Sequence, residues 1–260
     1  MGSQYIDFKQ ENGVAIISFN RPEKFNSFVR EMALDLQERL DFCQKEKEIR
    51  AVLITGNGKA FCAGQDLKEA TEDNGIELKN IVAEHYNPVI LKLRNLNKPV
   101  VAAVNGVAAG AGANIALACD LVVAGESATF IQAFSKIGLI PDSGGTFFLP
   151  KLIGMQKAAG LMMTGEKVSA ADAEKLNMIY RVVTDAELKP TAVQLAEKLA
   201  KMPTKALALT KKLLNESHNN TLEQQLQREY EEQWSAGQSY DYKEGTAAFL
   251  EKRKPVFKGE

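Results

Sequence analysis

Apolar positions along the chain first alternate and later settle into helical spacing. Over residues 13–20, Val14, Ile16 and Ser18 fall on one side while Ala15, Ile17 and Phe19 fall on the other. That is the period-2 pattern of a strand. Asn20-Arg21-Pro22-Glu23 reads as a turn. Ser27 stands where a helix N-cap is wanted, and Phe28, Met32, Leu36 and Leu40 recur every fourth residue as one apolar stripe. Residues 51–55 form a short β-rich run closed by Gly56-Asn57-Gly58.

Residues 71–75 are polar and turn-rich, a candidate mobile lid. Residues 78–96 are helical in pattern, with Pro88 expected to kink them. Residues 99–104 read as a buried strand, 106–118 as a small-residue segment and then a helix, and 121–124 and 128–132 as short strands. Such alternation predicts an α/β (α+β) fold. After about Gly145 the pattern turns helical over 146–165, 169–176, 185–201, 203–216 and 221–251, with Val182-Val183 as the one late strand-like remnant. The expected organisation is a core over residues 1–200 and a helical region over 201–260.

The 260 residues are 45% hydrophobic and 25% charged with a net charge of −1, an ordinary globular balance. A dedicated nucleic-acid binder usually carries a basic excess, so none is expected to be the partner. Charged and small residues interrupt every apolar stretch before it could cross a bilayer, and the N-terminal residues lack the apolar core of a signal peptide. Met1-Gly2 starts a myristoylation pattern, but Ile6 stands where Ser or Thr is required. Three cysteines (Cys43, Cys62 and Cys119) without a C-x-x-C pair fit a reducing cytoplasm. Two histidines, His85 and His218, are too few for a His-rich metal site, and no metal is expected.

Three glycine-rich turns each lead into a helical pattern: Phe61-Cys62-Ala63-Gly64-Gln65-Asp66, the stretch from Asn105-Gly106 to Gly112, and Ile140-Pro141-Asp142-Ser143-Gly144-Gly145. Free backbone N–H groups at such turns suit an anion or an oxyanion. Gly110-Ala111-Gly112 could begin a dinucleotide fingerprint, but Ile115 occupies the third glycine position. Asp142-Ser143-Gly144-Gly145 resembles the nucleophile turn of serine proteases, yet no histidine is suitably placed and the surroundings are not a β-barrel. Asp142 reads either as a turn former or N-cap, or as a base whose pKa is raised by its apolar neighbours Ile140, Phe147 and Phe148.

Taken together and in order, these motifs resemble the crotonase (enoyl-CoA hydratase/isomerase) superfamily over essentially the whole chain. The resemblance implies a spiral of ββα units with a C-terminal helical trimerisation region, and a homotrimer or hexamer. It implies an acyl-CoA thioester substrate and no separate cofactor, since coenzyme A is part of the substrate. The thioester oxygen would be held by the backbone N–H groups of Gln65 and Ala111, with Gly110 in the same turn. The CoA moiety would lie near Lys24, Phe25, Ala63, Asp66 and Leu67, with Phe257 and Lys258 contributed from a neighbouring subunit's tail. Tyr86, Phe134 and Leu139 are expected to line an apolar acyl or aryl pocket.

The departures from the family pattern carry the functional expectation. The two glutamates by which hydratases activate water fall at Asn114 and Phe134, so both carboxylates are missing. A carboxylate stands at Asp142 instead, where several family isomerases place their acid/base. The expectation is an isomerase that shifts an acyl-CoA double bond or rearranges a ring epoxide. The stretches 61–67, 104–113 and 133–142, with Tyr86-Asn87-Pro88, resemble the ring 1,2-epoxyphenylacetyl-CoA isomerases of bacterial phenylacetate degradation. Open alternatives are a hydratase, a dehalogenase or thioester hydrolase with Asp142 as nucleophile, and a non-catalytic RNA- or protein-binding member.

Overall fold

A computed structural model of the protein describes residues 4–71 and 76–260. All but Thr71 of the candidate lid lies outside them. Ten strands alternate with the helices: β1 (Ile6–Glu11), β2 (Val14–Phe19), α1 (Arg30–Lys45), β3 (Ala51–Gly56), β4 (Ala60–Cys62), α2 (Leu67–Thr71), α3 (Leu78–Asn80), α4 (Asn87–Asn95), β5 (Val100–Val104), β6 (Val107–Ala109) and α5 (Ala111–Leu117). They continue as β7 (Leu121–Gly125), β8 (Thr129–Ile131), α6 (Gly145–Ile153), α7 (Met155–Thr164), β9 (Lys167–Ser169), α8 (Ala170–Lys175), β10 (Arg181–Val183), α9 (Asp185–Ala200), α10 (Thr204–Glu216), α11 (Leu222–Gly237) and α12 (Tyr240–Leu250).

The strands form two sheets, ordered β1-β2-β3-β5-β7-β10 and β4-β6-β8-β9. Each of the pairs β3/β4, β5/β6 and β7/β8 gives its first strand to the large sheet and its second to the small one, and a helical segment follows. This is the ββα repeat expected from the resemblance. Both faces of the inner strands of the large sheet are covered, so β2, β3, β5 and β7 are mostly apolar. Ala15, Ile17, Val52, Ile54, Val100, Ala102 and Val122 face the main core. The alternate residues Val14, Leu53, Val101, Ala103 and Val123 pack on Leu188, Ala192, Ala196 and Ala200 of α9.

Several local expectations change. Ser27 does not cap α1; the helix starts after Val29, and the Ser27 hydroxyl accepts from Arg21 Nη1 instead. The reason is that the chain from Phe28 first runs extended beside Gln65. Pro88 does not simply kink a helix, because α4 follows a π-turn over Ile81–Tyr86. The late region holds a second short strand, β9, antiparallel to β8. The helical pattern over 146–165 is broken at Gly154 and that over 221–251 at Gln238-Ser239.

Candidate active site

Two backbone amides define the first part of the site. Gly64 has φ +92°, and its carbonyl accepts from Phe28 N at 2.7 Å while Asp66 N donates to Phe28 O at 2.9 Å. A trans peptide is planar, so the Gln65 N–H points away from Phe28. The Gly110 carbonyl similarly accepts from Asn114 N at 3.2 Å, which turns the Ala111 N–H out of the first turn of α5. Neither amide donates to an acceptor among the described residues. The two segments touch: a Cβ added to Gly64 would lie 2.9 Å from Ala109 O and 3.6 Å from Ala111 N. Only glycine has both the required φ and the clearance at this position.

The third element is the loop before α6. Asp142 is half-buried, and burial raises its carboxyl above the ordinary range despite a hydrogen bond from Ser143 Oγ (2.8 Å) that works the other way. Asp142 is not the N-cap of α6; Gly144 holds that place, and the Asp142 carbonyl accepts from Gly145 N at 2.9 Å. The same carbonyl accepts from Asn114 Nδ2 at 2.8 Å, and Asn114 Oδ1 accepts from Gln132 Nε2 at 2.8 Å. Asn114 and Gln132 are both buried. Gly145 leaves room for this contact, since a Cβ there would come within 2.5 Å of Asn114 Nδ2.

Apolar and aromatic groups close the space between these parts. A Cβ on Gly110 would lie 3.7 Å from the Phe134 ring, so Phe134 packs against the turn that carries the Ala111 amide. Leu139 N donates to Phe134 O at 3.0 Å, and the Leu139 side chain is partly exposed. Tyr86 is fully buried, which alters its expected role: its hydroxyl donates to Gln65 Oε1 at 2.8 Å. Burial holds the Tyr86 phenol well above its ordinary pKa, and Cys62, Asp142 and Glu69 push in the same direction. Cys62 lies under the loop with its thiol raised by burial to about 12, so it is not a nucleophile.

The residues expected around CoA are distributed unevenly. Phe25 O accepts from Ala63 N at 3.0 Å, and the Phe25 ring is about half exposed. Lys24 and Leu67 are exposed at the same edge. The Asp66 carboxylate is already engaged, 2.7 Å from Arg21 Nη1 and accepting from Lys68 N. Burial works to raise its pKa, but these bonds outweigh it and the net shift is downward. Phe257 and Lys258 do not join this cluster within the subunit. Phe257 O accepts from Arg50 Nη1, Lys258 N donates to Asp241, and the Lys258 ammonium sits over the Tyr240 ring. Sequence reasoning missed Glu69, Gln132 and the Gln65 side chain. Each has a partner distant in sequence (Arg30 for Glu69, Asn114 for Gln132, Tyr86 for Gln65), and only the i,i+4 pair Gln65 and Glu69 leaves a local sign.

Residues 9–260 match the family described as enoyl-CoA hydratase/isomerase. The chain belongs to this family. It is 48% identical to 1,2-epoxyphenylacetyl-CoA isomerase of Escherichia coli K12, an alignment covering 99% of each chain. Trans-2-decenoyl-[acyl-carrier-protein] isomerase of Streptococcus mutans is 34% identical, with 98% of this chain and 100% of that protein covered. The crystal structure of enoyl-CoA hydratase from Bacillus anthracis superposes with a TM-score of 0.93 at 35% identity, covering 99% of this chain and 100% of the other. The two-sheet ββα spiral is thus the crotonase fold. Among the described residues of this family member, no helix is long and apolar enough to cross a membrane, and no group of three His, Cys, Asp or Glu side chains could hold a metal.

Proposed function

We propose that the protein is an acyl-CoA isomerase in which Asp142 is the acid/base and the Gln65 and Ala111 amides hold the thioester oxygen. The observation that carries this reading is one half-buried carboxylate whose backbone carbonyl is tied to α5 by Asn114, together with two backbone donors unused among the described residues, and with an amide (Asn114) and a phenyl ring (Phe134) at the positions of the hydratase acids. The Asp142 carboxylate takes a proton from C2 of a β,γ-unsaturated acyl thioester. Charge moves onto the thioester oxygen, where two preorganised N–H donors stabilise it by several kcal/mol (about 3 for one such donor). The carboxylic acid returns the proton to C4, and the double bond now lies between C2 and C3. No water is added and no other reagent is consumed. A raised pKa serves both halves, because the acid formed in the first step must give its proton back.

The 48% identity to an epoxyphenylacetyl-CoA isomerase supports rearrangement of a ring epoxide as a second activity of the same site, and a place in aromatic acid breakdown such as phenylacetate degradation. Phe134 beside Gly110 supplies an aromatic wall for such a substrate. Lys24, Phe25, Ala63 and Leu67 are the proposed CoA edge, and Leu139 flanks the acyl end. Exposed Tyr230, Trp234, Phe249 and Leu250 on α11 and α12, around a cleft of about 950 Å³, support assembly through residues 201–260 into a trimer or hexamer. In such an assembly Phe257 and Lys258 would serve a neighbouring subunit. Three free, buried cysteines suit the cytoplasm.

The test is incubation of the wild type and Asp142→Asn with a β,γ-unsaturated acyl-CoA in heavy water, followed by NMR and mass spectrometry. Double-bond migration without hydration, lost in the variant, is expected. A hydrated product, or full activity in Asp142→Asn, would overturn the reading.

A further inference from the structure

The Gln65 side chain is the middle of a hydrogen-bond chain that joins three elements. Its Oε1 accepts from the Tyr86 hydroxyl at 2.8 Å, and its Nε2 donates to Glu69 Oε2 at 2.8 Å. Glu69 Oε1 in turn accepts from the backbone N of Arg30 at 2.9 Å. Tyr86 closes the π-turn, Glu69 lies on α2 and Arg30 opens α1. The π-turn brings the i,i+5 pair Ile81 and Tyr86 to the same inner face, both almost fully buried. Tyr86 also packs on Phe28, whose backbone brackets Gln65 through Gly64 O and Asp66 N.

The Gln65 peptide needs such support. It follows a glycine at positive φ, and its neighbours are held by a single isolated bridge rather than a continuous ladder. The amide direction of a donor decides how well it meets a developing oxyanion, since small errors of aim cost rate.

We infer that Tyr86, acting through the Gln65 side chain, is a positioning residue that aims the Gln65 amide at the thioester oxygen. This rests on the reading of Gln65 as an oxyanion donor. Tyr86 touches the reacting atoms nowhere in this scheme; Gln65 relays its effect. The Glu69 end fixes the other side of the same amide group, so the side chain cannot rotate without losing a bond.

Tyr86→Phe removes one oxygen and keeps the ring. Gln65→Met removes the side-chain amide and keeps the backbone N–H. Each variant is expected to lower kcat for double-bond migration about tenfold with KM within about twofold, because an oxyanion contact matters most in the transition state. The double variant is expected to be no slower than either single one, since both remove the same link. Amide exchange at Phe28 and Asp66 is expected to quicken in Tyr86→Phe, a readout independent of turnover. Unchanged kcat in Tyr86→Phe, additive losses in the double variant, or unchanged exchange would each overturn the inference. Inactive wild-type enzyme with quickened exchange would instead condemn the isomerase reading and leave the structural link standing.

Discussion

Asn114 donates through Nδ2 to the carbonyl of Asp142 at 2.8 Å, so the residue at the position of a hydratase acid holds the backbone of the proposed isomerase acid. The orientation of its amide is fixed from both ends, because a carbonyl accepts on one side and Gln132 Nε2 donates on the other.

Asn114→Ala should therefore weaken both stability and activity. It strips the buried Gln132 amide of its acceptor, at a cost of about 1–3 kcal/mol, and leaves the Asp142 carbonyl with Gly145 N alone. Asn114→Asp is expected to be worse at neutral pH, since a buried carboxylate oxygen would face the Asp142 carbonyl. Urea denaturation beside turnover of a β,γ-enoyl-CoA checks both variants, and wild-type stability in Asn114→Asp would contradict the assigned role.

Asp142→Asn should lower turnover by about 10²–10⁴, the usual contribution of a general acid/base. It should also make the protein more stable at pH 7. Burial raises the folded-state pKa of this carboxyl, so its stabilising contribution is present below the ordinary value of 3.8 and is lost as pH rises through the folded value. The melting temperature of the variant should exceed that of the wild type at neutral pH, and the two should converge in acid. In the wild type, the acid limb of kcat/KM should lie above the ordinary carboxylate range.

Gly64→Ala tests the approach of the two proposed oxyanion turns. The new methyl would meet Ala109 O at 2.9 Å on a backbone with φ +92°. Strain of about 1–3 kcal/mol is expected. Displacement of the Ala111 amide should cost about 10²–10³ in kcat, as for loss of one oxyanion donor. Steady-state kinetics with calorimetry separates the two effects.

Lys211 anchors the C-terminal helices to the core. Its ammonium sits 2.9 Å from Asp120 Oδ2 and donates to Leu93 O at 2.7 Å, while Arg94 bonds both Asp120 and Asn215. Lys211→Met keeps much of the volume but leaves the Asp120 carboxylate with Arg94 and the Val100 amide. A loss of about 1.5–3 kcal/mol is expected, the value of a hydrogen bond to a charged group. Equilibrium unfolding gives this directly.

How much of this was legible in the sequence depended on element length. The six-residue β2 shows period 2, and α1 and α9 show their apolar stripes. The three-residue strands β4, β6 and β9 are too short to display a period, and pairing with distant partners makes them strands. The edge strand β1 reads as polar because its exposed face alternates Asp7, Lys9 and Glu11. In the site, Asp142 and the two glycine turns stand out locally. The hydroxyl of Tyr86 does not, since an aromatic in a helical pattern suggests core packing. Its spacing of five from Ile81 is the one local sign of the π-turn.

That π-turn carries one residue more than an α-helix would need between α3 and α4. An α-helix advances about 100° per residue. Removing one residue from the exposed part of the turn, such as Ala83, would let ordinary helical bonding close the gap while leaving Tyr86, Gln65 and Asp142 all in the sequence. The former i,i+5 pair would become an i,i+4 pair, about 40° apart on an α-helix, so the phenol would stay on the inner face beside Ile81. A residue-by-residue comparison would report such a deletion as a complete active site.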